Sequence, residues 1–223
     1  MKSHQAKILR LPVNNVQVQA DETEEESDNR IAIAAQAGDL AAFNQLVARH
    51  EQRVYNLAYR MLNDAESAAD AAQDAFFQAY RALSQFRGGS FKSWLLRIAS
   101  NICYDRLRVR SRRPSDSLDA MLEEAENTGG SAKGLLEDAA ADPENHALSH
   151  ELARELAAAV QTLPPDQRLI VILSDIQGLS YEEIVQIAHC SLGTVKSRLS
   201  RGRAKLREYL QQNSELLTRQ HRL

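Results

Sequence analysis

The segment "GTVKSRLSRGRAK", residues 193–205, carries five Lys or Arg residues and no acid. Cations at this density bind polyanions, because each one that neutralises a phosphate releases a condensed counterion. The whole chain of 223 residues has a net charge of −3 and a pI of about 6.1, so it is not basic overall. The positive charge is therefore local, and it indicates a surface that binds nucleic acid.

Helical spacing divides this segment into faces, at about 100° per residue. The side predicted to be buried comprises Val195, Leu199, Gly202 and Leu206. The opposite side holds only the small residues Ser197, Ser200 and Ala204. Cations flank this small-residue strip on both edges: Lys196 and Arg203 on one, Arg198, Arg201 and Lys205 on the other. A slim outer face with cationic edges suits the DNA major groove. The alternative is an ordinary solvated basic helix.

A short helix and a tight turn precede the basic helix. The stretch "SYEEIVQIA" contains the S-x-x-E capping box between Ser180 and Glu183, and "HCSLG" follows it. The two helices and their turn predict a helix-turn-helix, in which Thr194 opens the recognition helix. His189 stands at the turn, and His tolerates a left-handed backbone better than most residues.

A second basic stripe lies in "FKSWLLRIASNICYDRLRVR", residues 91–110. The core face is predicted to contain Phe91, Leu95, Ile98, Ile102 and Val109. Another face aligns two cations, an amide and an aromatic ring: Arg97, Asn101, Tyr104 and Arg108. These types suit a single strand, which offers phosphates, base edges and faces for stacking. In the preceding loop, Gly88, Gly89 and Ser90 would let the backbone approach a base or phosphate.

The helix predicted in "DAESAADAAQDAFFQAYRAL" starts with Asp64 as N-cap and has two unlike faces. Its inner face is apolar, while the outer face collects Glu66, Asp70, Gln73, Asp74 and Phe77. An outward Phe among carboxylates indicates a protein-docking surface. The alternative is that Phe77 packs beneath a neighbouring helix.

Charge is segregated along the chain. Residues 86–113 carry eight bases and one acid, residues 114–166 carry twelve acids and two bases, and residues 192–207 carry six bases and no acid. We therefore expect an all-α protein with two small helical domains joined by a flexible acidic linker. The predicted segments are a disordered extension at 1–27, a bundle at 28–113, the linker at 114–148, the helix-turn-helix domain at 149–212 and a tail at 213–223.

Other classes of function find little support in the sequence. No phosphate loop, nucleophile elbow or paired carboxylates argue for an enzyme, and no cofactor is expected. His146 and His150 beside Glu151, and His189 beside Cys190, make poor metal sites. Cys103 and Cys190 form no CxxC pair, which favours reduced thiols, although redox sensing stays open. No run is long enough for a membrane span, so a cytoplasmic protein is expected.

The chain resembles the extracytoplasmic-function group of bacterial sigma factors, the promoter-recognition subunits of RNA polymerase. The resemblance rests on "FRGGSFKSWLLRIASNICYDRLR" and "LPPDQRLIVILSDIQGLSYEEIVQIAHCSLGTVKSRLSRGRAKLR". The first sequence lies in the part similar to sigma region 2, residues 28–113. The second lies in the part similar to region 4, residues 149–212.

The resemblance implies partners and residue roles. It implies two partners, core RNA polymerase and promoter DNA. The β′ clamp helices of the polymerase would dock on the helix at residues 64–83, and the β flap would form a second contact. Asn101 would capture a base flipped from the −10 element, with Arg97 and the 86–90 loop in the same pocket. Lys196, Ser197 and Arg201 would contact the −35 element, and Arg198 a phosphate. An anti-sigma factor is a candidate partner, since such inhibitors are common in the family.

Four residues depart from the family pattern. Ser174 and Ser200 stand at two positions relevant to the −35 sequence, which leaves that sequence open. Val185 replaces the usual small Ala at the helix crossing, and His189 replaces the usual glycine of the turn. Two rival functions also remain. An autonomous helix-turn-helix regulator would bind duplex DNA without polymerase, and a pure interaction protein would need only the Phe77 face.

Overall fold

The computed structural model describes residues 23–112 and 155–212, and these residues contain helices and loops but no strand. They form an N-terminal bundle (23–112) and a C-terminal unit (155–212). The expected linker and tail, and the histidines His146 and His150, lie outside the described residues. Within the described part of the chain, no helix combines the length and apolar character needed to cross a bilayer.

Helix α1 spans Glu24–Gln36 and begins inside the sequence "DETEEESD", residues 21–28, which holds six acids and no base. The Thr23 hydroxyl caps the helix by accepting from the Glu26 backbone N–H at 3.2 Å. The Glu26 carboxylate accepts from the Thr23 backbone N–H at 3.0 Å, which completes a capping box. Acids in the first turn stabilise a helix because they lie beside the positive end of the helix dipole. The prediction of a disordered extension through residue 27 is therefore wrong for residues 24–27.

Helices α2 (Leu40–Leu62) and α3 (Ala65–Arg81) follow, separated by Asn63 in a left-handed conformation. Asp64 caps α3 as predicted, its carboxylate accepting from the Ser67 N–H at 2.6 Å. The buried positions of α3 are all alanine: Ala68, Ala71, Ala75 and Ala79. Such small side chains let α3 approach its neighbours closely.

Helix α4 (Phe91–Arg112) lies at the centre of the molecule. It packs against α1, α2 and α3 on one side. Its first turn joins an aromatic cluster in which the Phe91 ring lies 5.5 Å from both Phe86 and Trp94. Four of the five predicted core residues are buried or half-buried, but Val109 is 53% exposed. The prediction for Val109 is wrong because the neighbouring helices do not cover the last turns of α4.

The C-terminal unit contains α5 (155–161), α6 (Pro165–Val171), a π-helical turn at Ile172–Ile176, α7 (Tyr181–Ala188) and α8 (Leu192–Gln212). Helices α7 and α8 form the predicted helix-turn-helix. The Ser180–Glu183 capping box is present, and His189 at the turn has φ +48°. The left-handed turn expected at this histidine is therefore confirmed.

Gly202 sets the packing of α8 on α6. A Cβ atom added to it would lie 2.8 Å from the Val171 Cγ2 methyl, which is closer than real Cβ atoms approach other heavy atoms. A side chain at this position would push the recognition helix away from its support.

A buried polar cluster joins α1 to α2. Asp28 and His50 are 2% and 1% exposed, and their Oδ2 and Nε2 atoms lie 2.7 Å apart. Arg49 donates to the other Asp28 oxygen at 3.0 Å. Burial is the main reason that the pKa of His50 lies below its usual value, although the Asp28 carboxylate opposes this effect. The cluster satisfies a carboxylate that would otherwise be costly to bury.

Candidate nucleic-acid interface

The recognition helix α8 presents the faces predicted from its spacing. Val195, Leu199 and Gly202 are buried and Leu206 is half-buried against the rest of the C-terminal unit. On the opposite side, Ser197, Ser200 and Ala204 are all exposed. The narrow outer strip is therefore open along its length, as entry into a groove requires.

The cations on the edges of this strip differ in how they are held. Arg198 forms an ion pair with Asp166 at 3.0 Å, and Arg203 forms one with Asp175 at 2.5 Å. Lys196, Arg201 and Lys205 are exposed, and none of the three pairs with an acid among the described residues. These three are the side chains best placed to meet phosphates.

Four polar side chains at the N-cap and in the first half of α8 form two hydrogen-bonded pairs. Ser191 caps the helix and its hydroxyl lies 2.9 Å from that of Thr194, which is half-buried. Arg201 lies back along the helix and donates to the Ser197 carbonyl and hydroxyl, each at 3.2 Å. Ser197 and Arg201 therefore form a joined pair at the centre of the outer strip.

The second stripe, on α4, is divided between solvent and protein. Asn101 and Arg108 are exposed, whereas Arg97 and Tyr104 are half-buried. Arg108 lies 3.5 Å from Asp105, a distance at the limit of hydrogen bonding. The exposed edge of the stripe thus offers an amide and a cation.

Tyr104 lies against the C-terminal unit. Its hydroxyl is 3.5 Å from the Pro165 carbonyl at the start of α6. Burial, followed by the nearby Asp166 carboxylate, raises the pKa of Tyr104 to about 12. The opposing influence of Arg198 places this ring close to α8 as well. Helical spacing could not predict this contact, because Tyr104 and Pro165 are 61 residues apart in the sequence.

The loop before α4 has the predicted open backbone. Gly88 and Gly89 have φ values of +89° and +84°, a region that side-chain-bearing residues rarely adopt, and no atom would crowd a Cβ at either position. Ser90 instead serves the helix, since its hydroxyl accepts from the Ser93 N–H at 3.1 Å. The two glycines are the part of the loop left free for a ligand.

The outer face of α3 is exposed at all five predicted positions. Phe77 is 60% exposed, and the Arg81 guanidinium lies 5.4 Å from its ring centre. The alternative in which Phe77 packs beneath a neighbouring helix is therefore wrong for this structure. An exposed aromatic ring beside carboxylates is the arrangement expected of a docking surface.

Arg106 is a component of this surface that sequence reasoning missed. From α4 it donates to the Asp74 carboxylate at 2.6 Å, and it lies 3.8 Å from Asp70. Helical spacing sets Arg106 apart from the α4 stripe, but only the packing of α4 on α3 reveals its partners. Two acids of the outer face of α3 are thus partly neutralised within the bundle.

The two cysteines differ in burial, since Cys103 is buried and Cys190 is only partly buried. Burial raises the pKa of the Cys103 thiol to about 12, which keeps it protonated and unreactive. Cys190 is half-buried beside His189 in the turn. Across residues 23–112 and 155–212, no group of three or more His, Cys, Asp or Glu side chains could hold a metal ion.

Comparison with known proteins matches both basic units to one family. Residues 46–113 match Sigma-70 region 2, and residues 153–206 match Sigma-70, region 4. The RNA polymerase sigma-H factor of Pseudomonas aeruginosa is 40% identical over 188 residues, covering 84% of this chain and 95% of the relative. The ECF RNA polymerase sigma-E factor of Escherichia coli K12 is 40% identical over 183 residues, covering 81% and 93%.

Two solved structures are similar over most of the chain. CnrH, in complex with the cytosolic domain of CnrY, is 25% identical with a TM-score of 0.58, covering 83% of this chain and 97% of the other. The sigma factor RpoE of Bartonella quintana, in complex with the anti-sigma factor NepR, is 28% identical with a TM-score of 0.56, covering 76% and 96%.

The two basic helical units match regions 2 and 4 in the family's order. The relatives of 40% identity are aligned over more than nine-tenths of their own length. The chain belongs to the extracytoplasmic-function group of the sigma-70 family.

Proposed function

We propose that this chain binds core RNA polymerase and directs it to promoters by reading the −10 element as an opened strand and the −35 element as a duplex. The observation that carries the proposal is the presence, in one chain, of two basic helices of different design. Helix α8 has a slim face for a groove, and α4 has an exposed amide beside cations. As a sigma factor the chain is a specificity subunit without catalysis of its own.

The −35 contacts are assigned to α8. Lys196, Ser197 and Arg201 face the base edges and backbone of the major groove, while Thr194, Ser200 and Lys205 extend the contact along the strip. The ion pair with Asp166 occupies the Nε of Arg198, so the donors of Arg198 proposed for a phosphate are its terminal Nη groups. These side-chain types are the usual donors to phosphates and base edges.

The −10 contacts are assigned to the start and middle of α4. Asn101 offers donor and acceptor atoms to a flipped base, with Arg97 and Arg108 on the adjacent phosphates. Tyr104 provides the aromatic surface for stacking. Gly88 and Gly89, with Ser90, would let the strand pass close to the backbone.

The docking surface on α3, comprising Glu66, Asp70, Gln73, Asp74 and Phe77, is assigned to the β′ clamp helices. The C-terminal unit is assigned to the β flap, and an anti-sigma factor is proposed as a regulator. With the transcribing enzyme as its partner, the chain would act in the cytoplasm.

A run-off transcription assay with core polymerase tests this function. We expect promoter-specific transcripts only when the chain is added, and their loss in Lys196→Ala/Arg201→Ala. Tight binding of the free chain to duplex DNA, with no gain from core polymerase, would support an autonomous regulator instead. Full activity of the double variant would favour a protein that acts through the α3 face alone.

The docking assignment has its own test. Phe77→Ala should weaken binding to core polymerase by tenfold or more, since truncating a central aromatic at an interface typically removes about 2 kcal/mol. Ile33→Ala is a matched control, because Ile33 is 66% exposed on α1 outside the docking surface. Equal affinity of the two variants in a pull-down titration would remove Phe77 from the docking surface.

A further inference from the structure

The loop at residues 86–90, which is proposed to meet the −10 strand, is held at both of its ends. At its C-terminal end, the Ser90 hydroxyl caps α4 and the Ser90 carbonyl accepts from the Trp94 N–H at 3.0 Å. At its N-terminal end, the Phe86 ring is buried in the aromatic cluster at the start of α4. The three residues between these anchors, 87–89, are exposed. The position of this exposed part therefore depends on how firmly the two anchors are held.

A side chain from α1 supports the N-terminal anchor. The Gln36 side-chain amide donates from Nε2 to the Leu83 carbonyl and to the Phe86 carbonyl, each at 2.8 Å. Leu83 begins a short 3-10 helix, Leu83–Gln85, and Phe86 is the residue that ends it. Since both partners are carbonyl oxygens, they require N–H donors, and one glutamine amide carries two. Gln36 thus fastens both ends of the turn that leads into the loop.

Gln36 is itself held in place, because α1 is fixed to the rest of the bundle. The buried pair of Asp28 and His50 joins the first half of α1 to α2. Gln36 is the last residue of α1, and the chain turns immediately after it, where the Gly38 N–H donates to the Ala35 carbonyl at 3.1 Å. Helix α1 also packs on the 3-10 turn and on α4. It therefore acts as a brace between α2 and the turn before the loop.

The two glycines of the loop make a firm anchor important. No heavy atom lies within 4 Å of a Cβ added at Gly88 or Gly89, so neighbouring side chains do not confine this backbone. Glycine backbone loses more conformational entropy on ordering than other residues, and a ligand that orders it binds more weakly for that reason. Holding the flanking residues in advance reduces this cost, because the loop then samples fewer conformations.

We propose that Gln36 is a positioning residue for the −10 strand. By holding the Leu83 and Phe86 carbonyls, it fixes where the exposed part of the loop begins, and thereby where the strand meets α4. Its effect passes through Phe86 and the loop rather than through a contact with DNA. This inference rests on the proposed function, which assigns the loop to the −10 strand, and it adds a residue of α1 to that function.

A purely structural role for Gln36 makes a different prediction. If Gln36 only stabilised the bundle, its loss would weaken polymerase binding and promoter binding together. A positioning role confines the loss to the reading of the −10 element, and it leaves core polymerase affinity and the −35 contact unchanged.

Two substitutions of Gln36 in the full chain separate these roles. Gln36→Met keeps a similar length and helix propensity but cannot donate a hydrogen bond. Gln36→Lys restores a donor on a longer side chain. Gln36 is exposed, so neither change disturbs the core, and Gln45→Met at an exposed position on α2 is the matched control.

Hydrogen exchange of the Phe86 amide reports on the anchor in the free chain, because this N–H donates to the Leu83 carbonyl within the turn. Each lost hydrogen bond should shift the balance between the held and the released turn about fivefold, so Gln36→Met should quicken exchange by up to about 25-fold. Gln36→Lys should recover most of the protection. Gln45→Met should exchange at the rate of the unaltered chain.

The functional measurement uses the polymerase holoenzyme on a promoter identified by run-off transcription. In Gln36→Met, open-complex formation should fall by about 5- to 25-fold, and the preference for the native −10 base over a substituted base should narrow. Gln36→Lys should regain most of both. Core polymerase affinity and binding to the −35 duplex should remain those of the unaltered chain.

Equal Phe86 exchange in Gln36→Met and Gln45→Met would overturn the anchoring role. Faster exchange with unchanged open-complex formation and unchanged −10 preference would overturn the positioning role, as would a parallel loss of core binding. The proposed function is judged on the unaltered chain. If that chain gives no promoter-specific transcripts with core polymerase, the proposed function fails and this inference fails with it, whereas failure of this inference alone appears in Gln36→Met beside an active unaltered chain.

Discussion

Helix α8 is supported along one side, whereas α4 is enclosed on two. The buried side of α8 rests on α6 and α7, and the rest of its circumference is open. Helix α4 packs on α1, α2 and α3 with one side and on α7 with another, which leaves a narrow exposed edge around Asn101 and Arg108. The helix proposed to read the duplex is therefore open to DNA, while the helix proposed to read the opened strand is accessible only in part.

The largest expected effect comes from the exposed edge of α4. Asn101→Ala should reduce open-complex formation by about 5- to 150-fold, since a well-placed amide–base pair contributes about 1–3 kcal/mol of discrimination. Permanganate footprinting of the melted strand measures it. Binding to core polymerase should stay unchanged, as should both readouts in Ser111→Ala, an exposed change farther along α4. A fall in core binding instead would disprove the strand-capture role.

The support of α8 is tested by Gly202→Ala. The added methyl would overlap the Val171 side chain, and overpacking of this kind costs about 1–3 kcal/mol, although a gain of about 1 kcal/mol in helix propensity opposes it. We expect a lower urea midpoint, restored in part by Val171→Ala. Gly193→Ala in the same helix should not destabilise, because its added Cβ would come no closer than 3.8 Å to another atom.

The open cations of α8 can be compared with the paired ones. Arg201→Gln should weaken binding to a −35 duplex and reduce the salt slope by about one if Arg201 binds phosphate. Arg203→Gln should change the slope less, because Arg203 is already paired with Asp175. Fluorescence anisotropy at several salt concentrations measures both. Equal slopes for Arg201→Gln and the unaltered chain would indicate a base contact, or no contact, for Arg201.

The smallest expected effect concerns His50, which packs against Phe91 at the start of α4. His50 lies 5.6 Å from the Phe91 ring and is surrounded by Asp28, Arg49, Arg53 and Glu24. Because burial lowers its folded-state pKa, the unfolded chain binds a proton more readily below about pH 6.5, and stability falls as pH decreases from that value.

His50→Gln should flatten this dependence between pH 7.5 and 5.5, measured as the urea midpoint. His189→Asn, at the exposed turn, is the control and should leave the dependence unchanged. A full acid slope in His50→Gln would assign the pH sensitivity to other groups.

The difference between α8 and α4 also explains how far the sequence could predict the structure. The faces of α8 followed from helical spacing, because a helix with one buried side has one apolar stripe. Helix α4 was only partly predictable: its end is exposed at Val109, and its tyrosine contacts a unit joined by a separate stretch of chain. Spacing within a helix does not encode such contacts.

Residues that act through packing were also beyond prediction. Gly202 was assigned to the buried side, but its closeness to Val171 depends on the crossing of two helices. The pairs Arg106–Asp74 and Arg203–Asp175 join residues 32 and 28 positions apart. The caps at Asp64 and Ser180, by contrast, were predictable because they satisfy their own helix within three residues.

The alanines on the buried side of α3 determine how far the proposed docking surface stands from the bundle. Each of Ala68, Ala71, Ala75 and Ala79 acts as a spacer one methyl group thick between the outer face and the bundle. Replacing one of them by valine or leucine would lift Phe77 and its neighbouring acids outward while leaving the chemistry of that face untouched. If the proposed docking surface binds a rigid partner, the fit would thus depend on side chains that the partner does not contact.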